Sequence, residues 1–210
     1  MGTQKVFFSM GLSLDGFSAG PHASPQNPMG DGGGPNLFKW LFAQEAFRKN
    51  GGFGEGGETG KDNEVAKEKL FRAGAGVMGY NMFKEGEIAW PPNVPFHHHV
   101  FVLTDEKREP VEYPGGTTFH FVNDGIESAL KQAKEAASGK DVQIHGGPNT
   151  IQQYLNAGLV DEFTIHHTPV FLGSGSVPLF ANIDSGIEVK IVDTIVSELV
   201  THVTYEVKHR

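Results

Sequence analysis

Apolar residues in this chain fall into short runs bounded by turn residues and into stripes at helical spacing, and the two alternate. Lys5-Val6-Phe7-Phe8-Ser9-Met10 is aromatic and β-branched and runs into Leu14-Asp15-Gly16, so it predicts a buried first strand closed by a turn. Residues 20–34 are dense in Pro, Gly, Asn and Asp, and 51–60 are dense in Gly, which predicts two loops. Between them Leu37, Trp40, Leu41 and Phe47 lie near helical spacing, predicting a helix over 36–49 with Asn36 as N-cap. A second, more charged helix is expected over 62–72.

The same alternation continues downstream. Ala75-Gly76-Val77-Met78-Gly79 predicts a short buried strand, and Tyr80-Asn81-Met82-Phe83 the start of a helix. After a proline-rich loop at 91–95, Val100-Phe101-Val102-Leu103-Thr104 and the stretch 117–122 predict strands separated by a polar turn at 105–110. Asp124 and Glu127 form a capping-box pattern, followed by the stripe Ile126, Ala129, Leu130, Ala133 and Ala137 before Gly139. Val142-Gln143-Ile144-His145 predicts a strand that Gly146-Gly147-Pro148-Asn149 turns into a helix carrying Ile151, Tyr154 and Leu155 and closing at Gly158. A strand over 161–170, a loop at 173–176 and alternating strands at Val189/Ile191 and Val203/Tyr205/Val207 complete the chain. Strand-helix alternation followed by antiparallel strands predicts a single three-layer α/β/α domain over 1–210. Its central sheet is mixed and mostly parallel, its C-terminal strands are antiparallel, and a glycine-rich loop insertion occupies about 20–60.

Composition narrows the function classes. The net charge is −8 and no Lys/Arg block occurs, which argues against nucleic acid and anionic lipid as partners. With no cysteine there is no disulfide framework, thiolate metal site or cysteine nucleophile. Ser9, Ser13 and Asp15 interrupt the N-terminal apolar run, so neither a signal peptide nor a membrane span fits, and a cytoplasmic location is expected.

Candidate chemistry gathers at glycine turns. Gly146-Gly147 follows a strand and opens a helix, where missing side chains and free N–H groups suit a pyrophosphate; the pattern alone equally allows a tight turn with no ligand. Gly79-Tyr80-Asn81 repeats the arrangement, and two such turns in one sheet point to the strand ends where ligands of open α/β sheets gather. Asp15 reads either as a carboxylate stabilising its own turn or as a group at a pocket mouth. Gly30 to Gly34 reads as a lid over a reaction site or as an irregular insertion. His97-His98-His99 resembles a metal signal, yet neighbouring strand residues point to opposite faces and cannot share one metal. His166-His167 should likewise place one ring on each side of its strand. Hydrolase, zincin and P-loop motifs do not occur.

Taken in order, several segments resemble the dihydrofolate-reductase-like proteins related to the reductase domain of bacterial riboflavin biosynthesis. They are Ser13-Leu14-Asp15-Gly16-Phe17, Val77-Met78-Gly79-Tyr80-Asn81-Met82-Phe83, Pro95-Phe96-His97 leading to Val100-Phe101-Val102-Leu103-Thr104, His145-Gly146-Gly147-Pro148, Leu159-Val160-Asp161-Glu162, and Pro169-Val170-Phe171-Leu172-Gly173-Ser174-Gly175. The resemblance implies direct hydride transfer from NADPH, with NADH an alternative, to a carbon-nitrogen double bond or carbonyl of a small heterocyclic or ribosyl substrate such as 5-amino-6-(5-phosphoribosylamino)uracil. It also implies a homodimer. Gly146, Gly147, Pro148, Asn149, Thr150 and Ile151 would hold the pyrophosphate, Gly79, Tyr80 and Asn81 would lie along the adenosine, and Leu103 and Thr104 would pack near the adenine. Asp15 would line the substrate pocket in a catalytic or orienting role, with Phe17, Trp40 and His166 beside it.

The sequence also departs from that pattern. Tyr80 stands where folate-reducing members carry the basic residue that pairs with the cofactor's 2′-phosphate. Asp105 nearby would repel a phosphate, and Lys107 or Arg108 are the candidate substitutes. The segment 36–49 offers no carboxylate at its start, Glu45 coming about two turns later, which argues against true dihydrofolate reduction. A nucleotide-binding protein that kept the fold without the chemistry, and a histidine-based metal protein, are the rival readings.

Overall fold

The computed structural model describes residues 4–91 and 94–208; Pro92 and Asn93 of the expected 91–95 loop lie outside them. In chain order the elements are β1 (Val6–Ser13), β2 (Phe17–Ala19), α1 (Gly33–Leu37), α2 (Lys39–Phe42), α3 (Glu45–Asn50), α4 (Lys61–Phe71), β3 (Ala73–Gly79), α5 (Tyr80–Ala89) and β4 (His99–Leu103). The second half holds β5 (Val111–Tyr113), β6 (Thr117–Val122), α6 (Ile126–Ala136), β7 (Asp141–Gly146), α7 (Pro148–Asn156), β8 (Glu162–Thr168), β9 (Val177–Pro178), β10 (Val189–Val196) and β11 (Thr201–Val207).

Nine strands form one sheet in the order β10-β11-β8-β1-β7-β3-β4-β6-β5, and β2 pairs with β9 separately. The run from β8 to β6 is parallel; β11 and β10 at one edge and β5 at the other are antiparallel. β1 is buried along nearly its whole length, as the centre of a sheet covered on both faces requires. This is the mixed, mostly parallel sheet with antiparallel C-terminal strands that the sequence pattern predicts.

The faces differ in chemistry. One carries Val6, Phe8, Val77, Val142, Ile144 and Ile165 against Ala129, Leu130 and Ala133 of α6 and Ile151, Tyr154 and Leu155 of α7, in one apolar core. On the other face, Met78, Val100, Val102 and Phe119 pack with Phe83 of α5, and Trp40 and Leu41 of α2, Ala46 of α3 and Ala66 of α4 form a further cluster with Val200. Between these clusters the second face is polar, presenting Ser9, Gln143, His145, His166 and His202. At the far end of the strands Arg72 bonds Asp141 (2.7 Å) and Glu162 (2.6 Å) and lies over the Phe7 ring, tying α4 to β7 and β8.

Three expectations are corrected. The single helix over 36–49 is instead α1, α2 and α3, with Asn36 inside α1 rather than capping it. Phe38 leaves helical geometry (φ −114°, ψ 6°) and Gln44 is extended (φ −78°, ψ 138°). The second break is held by backbone pairing: Glu45 N–H donates to Glu58 O (3.0 Å) and Glu58 N–H to Ala43 O (2.8 Å), so these groups leave the helical ladder. Asp124 does not cap α6; Gly125 is the N-cap at φ 100°, without a side-chain bond. Finally, the loop expected over 20–34 ends at Gly32, where α1 begins. Gly20 N–H donates to Met29 O, and Gly33 and Gly34 are buried inside α1.

Candidate functional site

A cleft of about 1010 Å³ is bordered by the two predicted glycine turns, which stand side by side at the ends of the adjacent strands β3 and β7. Its volume is at or above the upper end of the ~300–1,000 Å³ usual for small-molecule sites, room for a dinucleotide with a small second ligand. In one turn, β7 ends at Gly146 and α7 starts from Gly147 as N-cap with Pro148 in its first turn; in the other, β3 ends at Gly79, the N-cap of α5. Neither helix has a side-chain cap bond or an acidic residue in its first turn, so both present unsatisfied N–H groups and a positive dipole end to the cleft.

Geometry requires glycine at 146 and 79 and leaves open space at 147. Gly146 has φ 122°, a value L side chains rarely adopt, and is joined to Gly147 by a cis peptide bond. A Cβ on Gly147 would meet nothing within 4 Å, so the backbone there lies open to a ligand. At Gly79 a Cβ would collide with Thr150 Oγ1, and the missing side chain lets the two turns approach each other.

Beyond Gly79, Tyr80, Leu103, Thr104 and Asp105 line one end of the cleft. Here the Tyr80 hydroxyl donates to Glu106 (2.8 Å) and accepts from Arg108 (3.2 Å), whose guanidinium packs 4.4 Å from the Phe121 ring centroid. Arg108 is therefore a cation at the end where an adenosine would lie, paired with Glu87 at 3.4 Å and joined to Glu106 through the Tyr80 hydroxyl.

The floor carries Ser9, Lys69, Gln143, His98 and His145. Lys69, in the last turn of α4, donates from Nζ to the Ser9 carbonyl at 2.8 Å, and burial without a carboxylate partner pushes its ammonium down to about 8. His98 and His145 share a hydrogen bond at 3.2 Å, and burial pushes His98 down to about 4 and His145 well below the usual imidazole range. Both rings are thus neutral near pH 7, leaving Lys69 as the cation of the floor. Phe38, Leu41, Phe47 and Met29 add an apolar wall.

Of the residues expected from sequence, Gly79, Tyr80, Asn81, Leu103, Thr104, Gly147, Pro148, Asn149 and Thr150 meet along this one cleft. Gly146 shapes the turn from behind, and Ile151 is wholly buried in the apolar core. The expected substrate-side residues do not border the cleft. Asp15 accepts bonds from Ser13 Oγ (2.6 Å) and from the N–H groups of Leu172 and Gly173 (2.8 Å for Gly173), so its carboxylate ties its own turn to the 172–173 loop. Those bonds, the Ser13 hydroxyl first among them, hold its pKa below the usual range. Phe17 lies in β2, and Trp40 and His166, each 1 % exposed, sit beneath the floor, their ring centroids 4.7 Å apart and the planes tilted by 52°. Lys69, His98, His145 and Gln143 were missed.

The three consecutive rings at 97–99 diverge: His97 bonds Gly115 O, His98 bonds His145 and His99 bonds His120. Among the described residues no group of three or more His, Cys, Asp or Glu is placed to hold a metal ion, and no helix is long and apolar enough to cross a membrane.

The sheet order and the two glycine turns bordering one cleft define a dihydrofolate-reductase-like fold. Residues 4–199 match the RibD C-terminal domain, and the chain belongs to that family. Over 74 residues it is 40% identical to the uncharacterized protein YyaP of Bacillus subtilis (strain 168), a match covering 35% of this chain and 38% of that protein. Among solved structures, a Shewanella sp. PV-4 protein named for riboflavin biosynthesis superposes with a TM-score of 0.67 at 22% identity, covering 98% of this chain and 100% of the other. Dihydrofolate reductase from Enterococcus faecalis, solved with NADP(H), gives a TM-score of 0.57 at 16% identity over 98% of this chain and 97% of that one.

Proposed function

We propose that the protein is a reductase that transfers a hydride from NADPH to a carbon-nitrogen double bond or carbonyl of a small heterocyclic substrate. The observation that carries this reading is the pair of uncapped helix starts, α5 and α7, set side by side at the glycine turns that border one cleft. First-turn N–H groups at Asn149 and Thr150, with open space at Gly147, fit a pyrophosphate; Tyr80, Leu103 and Thr104 fit the adenosine; Arg108 is the group for a 2′-phosphate. The bound cofactor would supply the hydride. The protein's own part is to hold the acceptor over Gln143 and Ser9, to exclude water with Phe38, Leu41 and Phe47, and to stabilise through Lys69 the negative charge that develops on the acceptor's heteroatom. Lys69 thus takes the polar role that the sequence pattern suggested for Asp15.

A phosphoribosylated aminopyrimidine such as 5-amino-6-(5-phosphoribosylamino)uracil is the first substrate to assay, because the cation on the floor and the polar Gln143 suit an oxygen-rich ring. A homodimer would use the outer strand β10, where Ile191 and Val196 remain about 60% exposed. The deciding experiment is a titration with NADPH and with NADH, read by energy transfer from Trp40 and Trp90. No binding of either up to about 1 mM, a free energy of only ~4 kcal/mol, would sink the reductase reading. Tight binding without turnover of any carbonyl or imine would favour a nucleotide-binding protein instead.

A further inference from the structure

The polar stripe beneath the cleft floor begins at an anion and ends at the cleft. Asp62 Oδ1 lies 3.2 Å from His202 Nε2, and Ser197 Oγ donates to Asp62 Oδ2 at 2.9 Å. His202 Nδ1 meets His166 Nδ1 at 2.7 Å across the β8/β11 pair, where the two residues lie directly opposite. His166 Nε2 is 2.6 Å from Ser9 Oγ, and Ser9 borders the cleft. Asp62, His202, His166 and Ser9 are all buried, and Trp40 covers both imidazoles with ring centroids 4.7 and 4.6 Å away.

In each of these bonds one atom supplies the hydrogen and the other a lone pair, so the state of one end fixes the rest. Burial lowers the pKa of His202, against the opposing pull of Asp62, which acts on it as an anion. Burial also holds His166 well below the usual imidazole range, and Lys69 beside it disfavours a second proton further. Both rings are therefore neutral near pH 7, with one N–H each. A carboxylate has only lone pairs, so the His202 hydrogen is on Nε2 and its Nδ1 is bare. The His166 hydrogen is then on Nδ1, and its Nε2 is bare. Ser9 must give its single hydroxyl hydrogen to that nitrogen, which leaves only oxygen lone pairs turned to the cleft. Lys69 is the opposite: its ammonium can only donate, and it already gives one hydrogen to the Ser9 carbonyl.

We propose that Asp62, acting through His202 and His166, locks Ser9 as a hydrogen-bond acceptor, and that Ser9 thereby selects a substrate whose ring presents an N–H at that point and rejects one that presents an oxygen or a bare nitrogen. The lock stands on the buried chain alone; its use in choosing a substrate rests on the reductase reading. No proton travels along the chain, which keeps one sense throughout. An oxygen placed against Ser9 meets lone pairs on a hydroxyl that cannot turn round. The heteroatom that gains charge as hydride arrives is therefore kept off Ser9 and directed to Lys69. Ser9 touches the substrate, and Asp62, His202 and His166 are positioning residues behind it.

The lock is tested on protein labelled with ¹⁵N at histidine. Near pH 7 the spectra should show His202 protonated at Nε2 alone and His166 at Nδ1 alone. Asp62→Asn, whose amide can donate as well as accept, should admit the reverse sense and give mixed or exchanged tautomers. Ser9→Ala should leave both tautomers as in the parent protein, because the sense is set from the Asp62 end, and this arm stands if Asp62→Asn fails to fold. Exchanged or mixed tautomers in the parent, or tautomers that change in Ser9→Ala, would overturn the lock. Selection is read on NADPH-saturated protein with two isomeric probes: 2-pyridone, which has a ring N–H beside its carbonyl, and pyridine N-oxide, which has the oxygen alone. 2-Pyridone should bind roughly tenfold more tightly, about the worth of one neutral hydrogen bond, and Ser9→Ala should abolish the difference. Equal affinities, no binding of 2-pyridone, or a preference that survives Ser9→Ala would overturn the selection. Failure to bind NADPH would overturn the reductase reading and the selection together, while the tautomers would still decide the lock.

Discussion

Lys69→Met should make the protein more stable and less active. Lys69 rests on the cleft floor with no carboxylate beside it, and its pKa falls from 10.5 to about 8 because burial disfavours the charged form. At ~1.36 kcal/mol per pH unit, holding that proton in the folded state costs roughly 3 kcal/mol. The side chain opens on a cleft that water can enter, so about half of this survives screening, roughly 1.5 kcal/mol. Methionine gives up the bond to the Ser9 carbonyl, worth about 0.5 kcal/mol where water can replace it. The net gain is about 1 kcal/mol, or roughly 2–4 °C in Tm for a chain of this size. The sign can be checked with pH. Below about 8 the folded lysine carries the proton at full penalty, whereas the unfolded lysine keeps its proton up to 10.5. Between these values the unfolded chain binds more protons, so the stability of the parent protein rises with pH and the advantage of methionine shrinks. Thermal unfolding of both proteins without cofactor at pH 7 and pH 10 makes the measurement. A lower Tm for Lys69→Met at pH 7, or an advantage that persists undiminished at pH 10, would refute the reasoning.

Gly147→Asp should abolish cofactor binding in a fluorescence titration, because it puts bulk and negative charge into the open space at the start of α7, with circular dichroism unchanged. Arg108→Ala should weaken NADPH about tenfold, ~1.4 kcal/mol, and leave NADH nearly unaffected; equal losses for both would remove Arg108 from the 2′-phosphate role. Ile191→Lys on the outer strand should convert a dimer to a monomer in sedimentation, and a parent protein that already sediments as a monomer would discard the β10 interface.

What the sequence displays well is whatever a local pattern encodes. Gly79 and Gly147 were legible because a strand, a glycine and a helix start are contiguous, and two such turns in one sheet already point to a cleft at the strand ends. Asp15 lies off the cleft lining, and the same locality hides it. Its turn is local, but its partners, the N–H groups of Leu172 and Gly173, lie more than a hundred residues away, and only the fold brings them within 2.8 Å. The floor was illegible because Ser9 of β1, Gln143 and His145 of β7, His98 just before β4 and Lys69 of α4 converge only in the fold, while each looks locally like ordinary alternation. A signal existed in α4, which read as a merely charged helix: Asp62, Ala66 and Lys69 follow helical spacing, and Asp62 and Ala66 are buried. A stripe at that spacing with a carboxylate at one end and an ammonium at the other is a helix turned inward, with the two charges kept for different tasks. Asp62 is placed against His202, and Lys69 is left without a counterion beneath the cleft. Hydrophobic periodicity finds the faces that build the core. Polar residues at the same periodicity find the face the core was arranged to support.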